Sequence, residues 1–186
     1  MTAPDAAARR AVFLDRDGTI IEDVNYVSRP DQVVLRPTAA RAIARLNEAG
    51  VAVVVVTNQS GIARGMFGEA EYEAVAARVA ELLGERGARL DAVYHCPHLP
   101  EITGPCDCRK PGIGMYEQAV REHGLDAARS AFVGDRIRDI LPAKHFGGRG
   151  ILVPSPQTPF TEMDRAGEEF AVSTTLEAAV DRFLAR

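Results

Sequence analysis

The sequence lacks any hydrophobic run long enough to span a bilayer. Its longest purely apolar stretch is 51–56, whereas a transmembrane helix needs about 20 such residues. Residues 1–10 contain no apolar core of a signal peptide. Basic residues form no dense run and the formal net charge is −4, which gives no support to nucleic-acid or membrane binding. We therefore predict a cytoplasmic protein without nucleic-acid or membrane partners, whose local positive groups could still bind small anions.

Cysteine is also scarce, with three residues in a chain of 186, all of them between positions 96 and 108. Three thiols cannot all pair within one chain, and their clustering argues against a disulfide framework. Metal binding is the first alternative. The remaining composition, 46% hydrophobic, predicts one domain over residues 1–186 with enough apolar material for a substantial core.

Short β-rich runs alternate with helical patterns along the chain, which predicts an α/β fold. The predicted strands are 11–14, 51–56, 92–95, 131–133 and 150–153. The predicted helices are 38–49, 69–85, 115–122, 138–145 and 176–184, and Pro142 is compatible with its helix only near the first turn. Right-handed crossovers then give a three-layer α/β/α, doubly wound parallel sheet. The unbroken run 51–56 should be a central strand buried on both faces.

Two carboxylates follow the first predicted strand directly. Asp15 and Asp17 are one residue apart and are followed by Gly18 and Thr19. This spacing delivers acidic groups to the carboxyl edge of the sheet, where open α/β sheets bind their ligands. The alternative is a solvated turn, because Asp and Gly are both common in turns.

Three further polar groups fall at the ends of later strands and loops. Thr57 opens a small polar turn suited to phosphate oxygens. Lys110 follows the cysteine segment, and Asp135 follows another strand with Asp139 four residues later. Singly, these could be a helix cap, a solvated cation and a turn former. Together at strand ends they predict one crevice in which carboxylates, a hydroxyl and an amine converge.

The cysteine segment offers three thiolates and one imidazole within thirteen positions: Cys96, His98, Cys106 and Cys108. This inventory fits a closed, structural Zn²⁺ site in a loop of about residues 96–108. The alternative is buried free thiols. His95 should point across the strand and serve as an ordinary polar neighbour.

Taken together, these motifs resemble the haloacid dehalogenase superfamily of phosphatases, over residues 11–153. The resemblance implies a Rossmann-like fold of that type without a large cap domain. It implies Mg²⁺ held by Asp15, the backbone carbonyl of Asp17 and Asp135. Asp15 would be the nucleophile and Asp17 the general acid and base. Thr57 and Lys110 would stabilise the transferring phosphoryl group, and Asp139 would orient Lys110 or a metal-bound water.

Within that superfamily, the runs 13–19, 57–65, 96–98 and 106–111 are similar to those of heptose bisphosphate phosphatases, which are related to histidinol-phosphate phosphatases. The resemblance implies a sugar bisphosphate substrate, D-glycero-D-manno-heptose 1,7-bisphosphate, which would lose its 7-phosphate. The substrate-binding residues that it implies, besides Thr57 and Lys110, are Asp23, Val24, Asn25, Tyr26, Asn58, Gln59, Ser60, Arg109 and Arg136.

Other functions would use the same residues. A histidinol-phosphate phosphatase or a DNA 3′-phosphatase would share the catalytic set, although the missing basic surface counts against DNA. A catalytically silent, zinc-stabilised binding module would need a degraded site, whereas every catalytic residue is present here. The predicted helices and the metal loop fill the intervals between motifs, which leaves no room for a large lid. We therefore predict a relatively open site on a monomer.

Overall fold

The computed structural model describes residues 8–185 and contains one six-stranded, fully parallel sheet. Its strands are β1 (Ala11–Leu14), β2 (Ala52–Asn58), β3 (Ala92–Cys96), β4 (Ala131–Gly134), β5 (Arg149–Leu152) and β6 (Ala171–Val172). Their order across the sheet is β3-β2-β1-β4-β5-β6. The chain therefore runs outward from β1 to β3 and then returns to the other side of β1. This reversal opens a crevice at the carboxyl ends of β1 and β4, where such sheets place their ligands.

Nine helices flank the sheet within the described residues. They are α1 (Ala39–Glu48), α2 (Ser60–Ala63), α3 (Glu69–Gly84), α4 (Pro100–Thr103), α5 (Gly114–His123), α6 (Ile137–Ile140), α7 (Pro142–Phe146), α8 (Phe160–Glu169) and α9 (Leu176–Leu184). None of these helices combines the length and the apolar character that crossing a bilayer requires.

The central strands of the sheet are buried on both faces, as the sequence of β2 predicts. Val53 and Val55 contribute to one apolar cluster with α1, α3 and α9. Val54 and Val56 contribute to the other, together with Phe13 of β1 and residues of α5. Alternate side chains of one strand thus enter opposite cores, because successive residues point to opposite faces.

The predicted α/β fold is confirmed, with differences in its shorter elements. The strand β1 has the predicted ends, and the ends of the other four predicted strands differ by one or two residues. The elements α2, α4, α8 and β6 are additional. The predicted helix 138–145 was wrong as a single element. It is divided into α6 and α7 because Pro142 takes the first position of α7, where its missing N–H leaves no intrahelical bond unmade.

Candidate active site

Lys110 and Asp15 form a buried ion pair at the carboxyl edge of the sheet. Asp15 follows β1 directly, and Lys110 arrives from the loop between β3 and α5. The Lys110 ammonium lies 2.6 Å from Asp15 Oδ1, and it donates to the Val56 carbonyl at 2.6 Å. Only 1% of the Lys110 side chain is exposed. The residue is therefore fixed as a charge inside the crevice and is not a solvated surface cation.

Asp139 is the second acidic partner of Lys110. Its Oδ1 lies 2.8 Å from Lys110 Nζ, and its Oδ2 accepts a hydrogen bond from the backbone N–H of Arg136 at 3.0 Å. Burial lowers the pKa of Lys110, but the Asp139 and Asp15 carboxylates outweigh it and hold that pKa above its usual value. Lys110 is therefore charged at neutral pH, and Asp139 contacts its ammonium directly.

Three buried carboxyl groups cluster beside this ammonium. One oxygen each of Asp15, Asp135 and Asp139 lies within 4.8 Å of the other two. Burial raises the pKa of Asp15 to about 8, against the opposing charge of Lys110. Burial and then Asp139 raise the pKa of Asp135 to about 6. Carboxylates forced together in this way favour a bound cation, and a hard oxygen set of this kind suits Mg²⁺.

Glycines allow these acids to approach the backbone closely. A Cβ at Gly18 would lie 2.4 Å from Asp135 Oδ2, and the positive φ of 81° at Gly18 also favours glycine. A Cβ at Gly134 would lie 2.3 Å from the Asp139 Cβ. Side chains at either position would push the acids out of the cluster.

A serine and a threonine that the sequence analysis did not single out hold Asp135. Ser155 Oγ donates to Asp135 Oδ2 at 2.6 Å, and Thr158 Oγ1 donates to the Asp135 carbonyl at 2.7 Å. Ser155 N–H in turn donates to Thr158 Oγ1 at 2.9 Å. The Ser-x-x-Thr spacing after β5 was the available signal, because such hydroxyls commonly bond to nearby backbone groups.

Asp17 is held by a polar network on the open side of the cluster. Arg16 donates to both of its carboxylate oxygens, at 3.0 and 3.1 Å, and Gln59 Nε2 donates to Oδ2 at 2.9 Å. Gln59 Nε2 also donates to Thr57 Oγ1 at 2.9 Å. Arg16 was missed by sequence reasoning, since an arginine between two acids resembles a solvated residue; here it is almost fully buried. Asp17 and Thr57 are therefore neighbours, since the same amide group of Gln59 donates to both.

A cleft of about 180 Å³ opens beside Asp17. Of the residues that the family resemblance implied for substrate binding, six line it: Asp23, Asn25, Tyr26, Asn58, Gln59 and Ser60. The other five, which include Thr57 and Lys110, are not in the lining. Val24 is half-exposed, Arg109 donates to the His98 carbonyl at 3.1 Å, and the Arg136 guanidinium lies 3.8 Å from both Asp135 and Glu162. Arg138, which sequence analysis left out, does line the cleft.

The cysteine loop gathers the four donors expected from the sequence. One atom each of Cys96, His98, Cys106 and Cys108 lies within 4.8 Å of the others. His98 Nδ1 is 3.3 Å from Cys108 Sγ, and Cys106 Sγ is 3.7 Å and 3.6 Å from the sulfurs of Cys96 and Cys108. The sulfurs of Cys96 and Cys108 are also in direct contact, as in a disulfide, which the sequence analysis did not expect. Only a tetrahedral metal site would use all four donors.

His95 lies outside this cluster. Its Nε2 is 2.8 Å from Glu69 Oε2, and its ring stacks on Tyr72 with centroids 4.0 Å apart. It is therefore the ordinary polar neighbour that alternation along β3 predicted.

A sequence profile of haloacid dehalogenase-like hydrolases matches residues 22–147, which is more than half of the chain. The chain belongs to the haloacid dehalogenase-like hydrolases. The matched stretch contains Thr57, Lys110, Asp135 and Asp139. It begins after Asp15 and Asp17, whose assignment to the site depends on the geometry above.

Curated relatives of this chain include bacterial proteins named D-glycero-beta-D-manno-heptose-1,7-bisphosphate 7-phosphatase. The protein of Mesorhizobium japonicum is 48% identical over 77% of this chain and 69% of its own length. That of Haemophilus ducreyi is 42% identical over 75% of this chain and 79% of its own length.

A solved hydrolase structure of this kind also resembles the chain closely. The D,D-heptose 1,7-bisphosphate phosphatase of B. bronchiseptica, crystallised with magnesium and phosphate, superposes with a TM-score of 0.85. It is 35% identical in sequence, and the match covers 95% of this chain and 98% of that one.

Proposed function

We propose that this hydrolase is a Mg²⁺-dependent phosphomonoesterase that removes the 7-phosphate of D-glycero-D-manno-heptose 1,7-bisphosphate through an aspartyl-phosphate intermediate. The observation that carries the proposal is the convergence of Lys110 with the carboxylates of Asp15, Asp135 and Asp139 at one sheet edge. Phosphoryl transfer to a carboxylate requires positive charge beside it, because the carboxylate and the phosphate dianion repel each other. The Lys110 ammonium and a cation bound by the acids would supply that charge.

Asp15 is the nucleophile in this proposal. Its carboxylate attacks phosphorus, the bond to the sugar oxygen breaks, and a phosphoryl group remains on the carboxylate until water removes it. The Lys110 ammonium lies 2.6 Å from one oxygen of Asp15 and holds the carboxylate in the crevice. The same ammonium then stabilises the charge that develops on the transferring group.

Asp17 is the general acid and base. Its side chain is 23% exposed, so it faces the cleft from which substrate enters. In the first half-reaction it protonates the leaving alkoxide, and in the second it accepts a proton from the attacking water. Arg16 and Gln59 fix the direction of this carboxylate between the two steps.

Thr57 donates to the transferring phosphoryl group. Its Oγ1 already accepts a hydrogen bond from Gln59 Nε2 at 2.9 Å. The hydroxyl proton is therefore left for a ligand oxygen, because a hydroxyl can accept and donate at the same time.

The proposed metal set is Asp15, the backbone carbonyl of Asp17 and Asp135. The buried carboxyl oxygens and the raised pKa values of Asp15 and Asp135 fit a divalent cation at this point. When bound, Mg²⁺ would neutralise the repulsion between carboxylate and phosphate and orient the phosphoryl oxygens. Ser155 holds Asp135 in the required position.

A structural Zn²⁺ site at Cys96, His98, Cys106 and Cys108 is the second metal of the proposal. Fixing this loop matters for catalysis because Lys110 comes two residues after Cys108. A Cys96–Cys108 disulfide is the competing state; it would leave Cys106 and His98 without a partner of their own. The four-donor count favours zinc.

A phosphate-release screen with Mg²⁺ tests the function. Heptose 1,7-bisphosphate, histidinol phosphate, nucleoside monophosphates and p-nitrophenyl phosphate are compared by kcat/KM. The proposal predicts hydrolysis of p-nitrophenyl phosphate and the highest kcat/KM for the heptose bisphosphate. A preference for histidinol phosphate would reassign the substrate, and no hydrolysis of any ester would favour a silent binding module.

A further inference from the structure

Of the two arginines that line the cleft beside Asp17, Arg138 is the one that a ligand can reach. The Arg16 side chain is 3% exposed, and it is engaged with Asp17 and with Gln59 at 3.1 Å. The Arg138 side chain is 48% exposed. It projects from α6, which directly follows Asp135 and Arg136. A substrate in the cleft thus meets one accessible guanidinium.

The donors of Arg138 are free. Its Nε lies 4.0 Å from Asp139 Oδ1, which is longer than a hydrogen bond. Asp139 is already held by Lys110 and by the backbone of Arg136. Across residues 8–185 the Arg138 guanidinium donates no hydrogen bond to another protein group. Its planar fork of N–H groups is therefore available for the two oxygens of a phosphate.

The neighbouring arginines are engaged with other protein groups. Arg136 lies between Asp135 and Glu162, 3.8 Å from each, so its charge is largely balanced. Arg109 donates a hydrogen bond to the His98 carbonyl at 3.1 Å. Arg138 therefore keeps the most N–H donors for a bound anion.

We propose that Arg138 is a specificity-determining residue that binds the second phosphate of a sugar bisphosphate, while the phosphate to be transferred lies at Asp15 and Lys110. This inference rests on the proposed phosphatase function and extends it. The two phosphates are bound at different depths: the buried Lys110 contacts the phosphate that reacts, and the exposed Arg138 binds the phosphate that does not. A monophosphate would leave Arg138 without a partner, so the residue discriminates between the two substrate classes.

The test compares Arg138→Ala with Arg138→Lys and with a control, Arg121→Ala, which removes an exposed arginine from α5 away from the cleft. Each variant is assayed with heptose 1,7-bisphosphate, heptose 7-phosphate and p-nitrophenyl phosphate. Losing a charge-assisted contact should lower kcat/KM for the bisphosphate about 10- to 100-fold in Arg138→Ala, mainly through KM. The two monophosphates should change less than about 5-fold. Arg138→Lys should recover part of the loss, and Arg121→Ala should match wild type.

Three outcomes overturn the inference. An equal loss on all three substrates would place Arg138 at the transferring phosphate, and no loss on the bisphosphate would leave it without a role in binding. A wild-type enzyme that hydrolyses p-nitrophenyl phosphate but does not prefer the bisphosphate over the monophosphate would also contradict it, although the phosphatase function would stand. A wild-type protein that hydrolyses none of the three would instead refute the proposed function.

Discussion

The side-chain amide of Asn58 binds both backbone groups of Lys110. Asn58 Oδ1 accepts from the Lys110 N–H at 3.0 Å, and its Nδ2 donates to the Lys110 carbonyl at 3.2 Å. The end of β2 is thereby joined to the loop that carries the cysteine cluster. The position of the Lys110 ammonium thus depends on a strand residue and on the cysteine loop together.

Asn58→Ala should impair catalysis through Lys110. Losing both hydrogen bonds frees the Lys110 backbone, and small displacements of a catalytic group reduce rates strongly. We expect kcat for p-nitrophenyl phosphate to fall about 10- to 100-fold. Asn47→Ala is a matched control, because Asn47 makes the same pair of bonds to the Arg89 backbone, at 2.9 and 3.1 Å, away from the site. Similar kcat values for the two variants would contradict the positioning role of Asn58.

Ser155→Ala should weaken Mg²⁺ binding. The Ser155 hydroxyl fixes Asp135 at 2.6 Å, and losing such a partner of a metal ligand typically lowers affinity about 10- to 100-fold. Mg²⁺ titration of activity measures the effect, with saturating Mg²⁺ restoring most of kcat. Ser173→Ala removes another buried serine, away from the cluster, and should leave the titration unchanged. An unaltered Mg²⁺ requirement in Ser155→Ala would argue that Asp135 is not a ligand.

Metal-dependent stability should rise with pH. The folded-state pKa values of Asp15, about 8, and Asp135, about 6, lie above their usual value of 3.8. Without metal, these two groups make their full contribution to the free energy of unfolding below pH 3.8. That contribution is lost as the pH rises through about 6 and then about 8. Since Mg²⁺ must displace these protons, the increase in Tm on adding it should grow over the same range. Thermal denaturation with and without Mg²⁺ measures this. A Tm increase that does not vary with pH would contradict the assignment.

Cys106→Ser distinguishes zinc from a disulfide. If the four donors hold Zn²⁺, removing Cys106 should abolish stoichiometric zinc and lower Tm, because metal-binding free energy stabilises the loop. If Cys96 and Cys108 are joined instead, Cys106 is dispensable. Metal analysis of protein purified without chelator, together with thiol titration, reads out both. Zinc-free wild type with a single titratable thiol would refute the zinc site.

The convergence of the candidate site residues at one sheet edge could be predicted from the sequence, because each of them follows a strand or a loop motif. Asp15 and Asp135 are fixed by the ends of β1 and β4, and the parallel sheet brings those ends together. The supporting residues could not be predicted in the same way. Arg16, Ser155 and Arg138 act through long-range geometry, and no local pattern distinguishes them from surface polar residues. The division of the predicted helix 138–145 at Pro142 has a similar cause. The helical pattern of the sequence continues across Pro142, so it does not show where one helix ends and the next begins.

Chemical trapping of the phosphorylated residue tests the central claim most directly. Enzyme mixed with substrate and Mg²⁺ is quenched in acid during turnover and reduced with borohydride, which converts a phosphorylated aspartate to homoserine, and the peptides are sequenced by mass spectrometry. If Asp15 is the nucleophile, homoserine appears at position 15 alone, and a folded Asp15→Asn variant loses at least about 10³-fold in kcat. Modification at another residue, or near-normal turnover by Asp15→Asn, would contradict it.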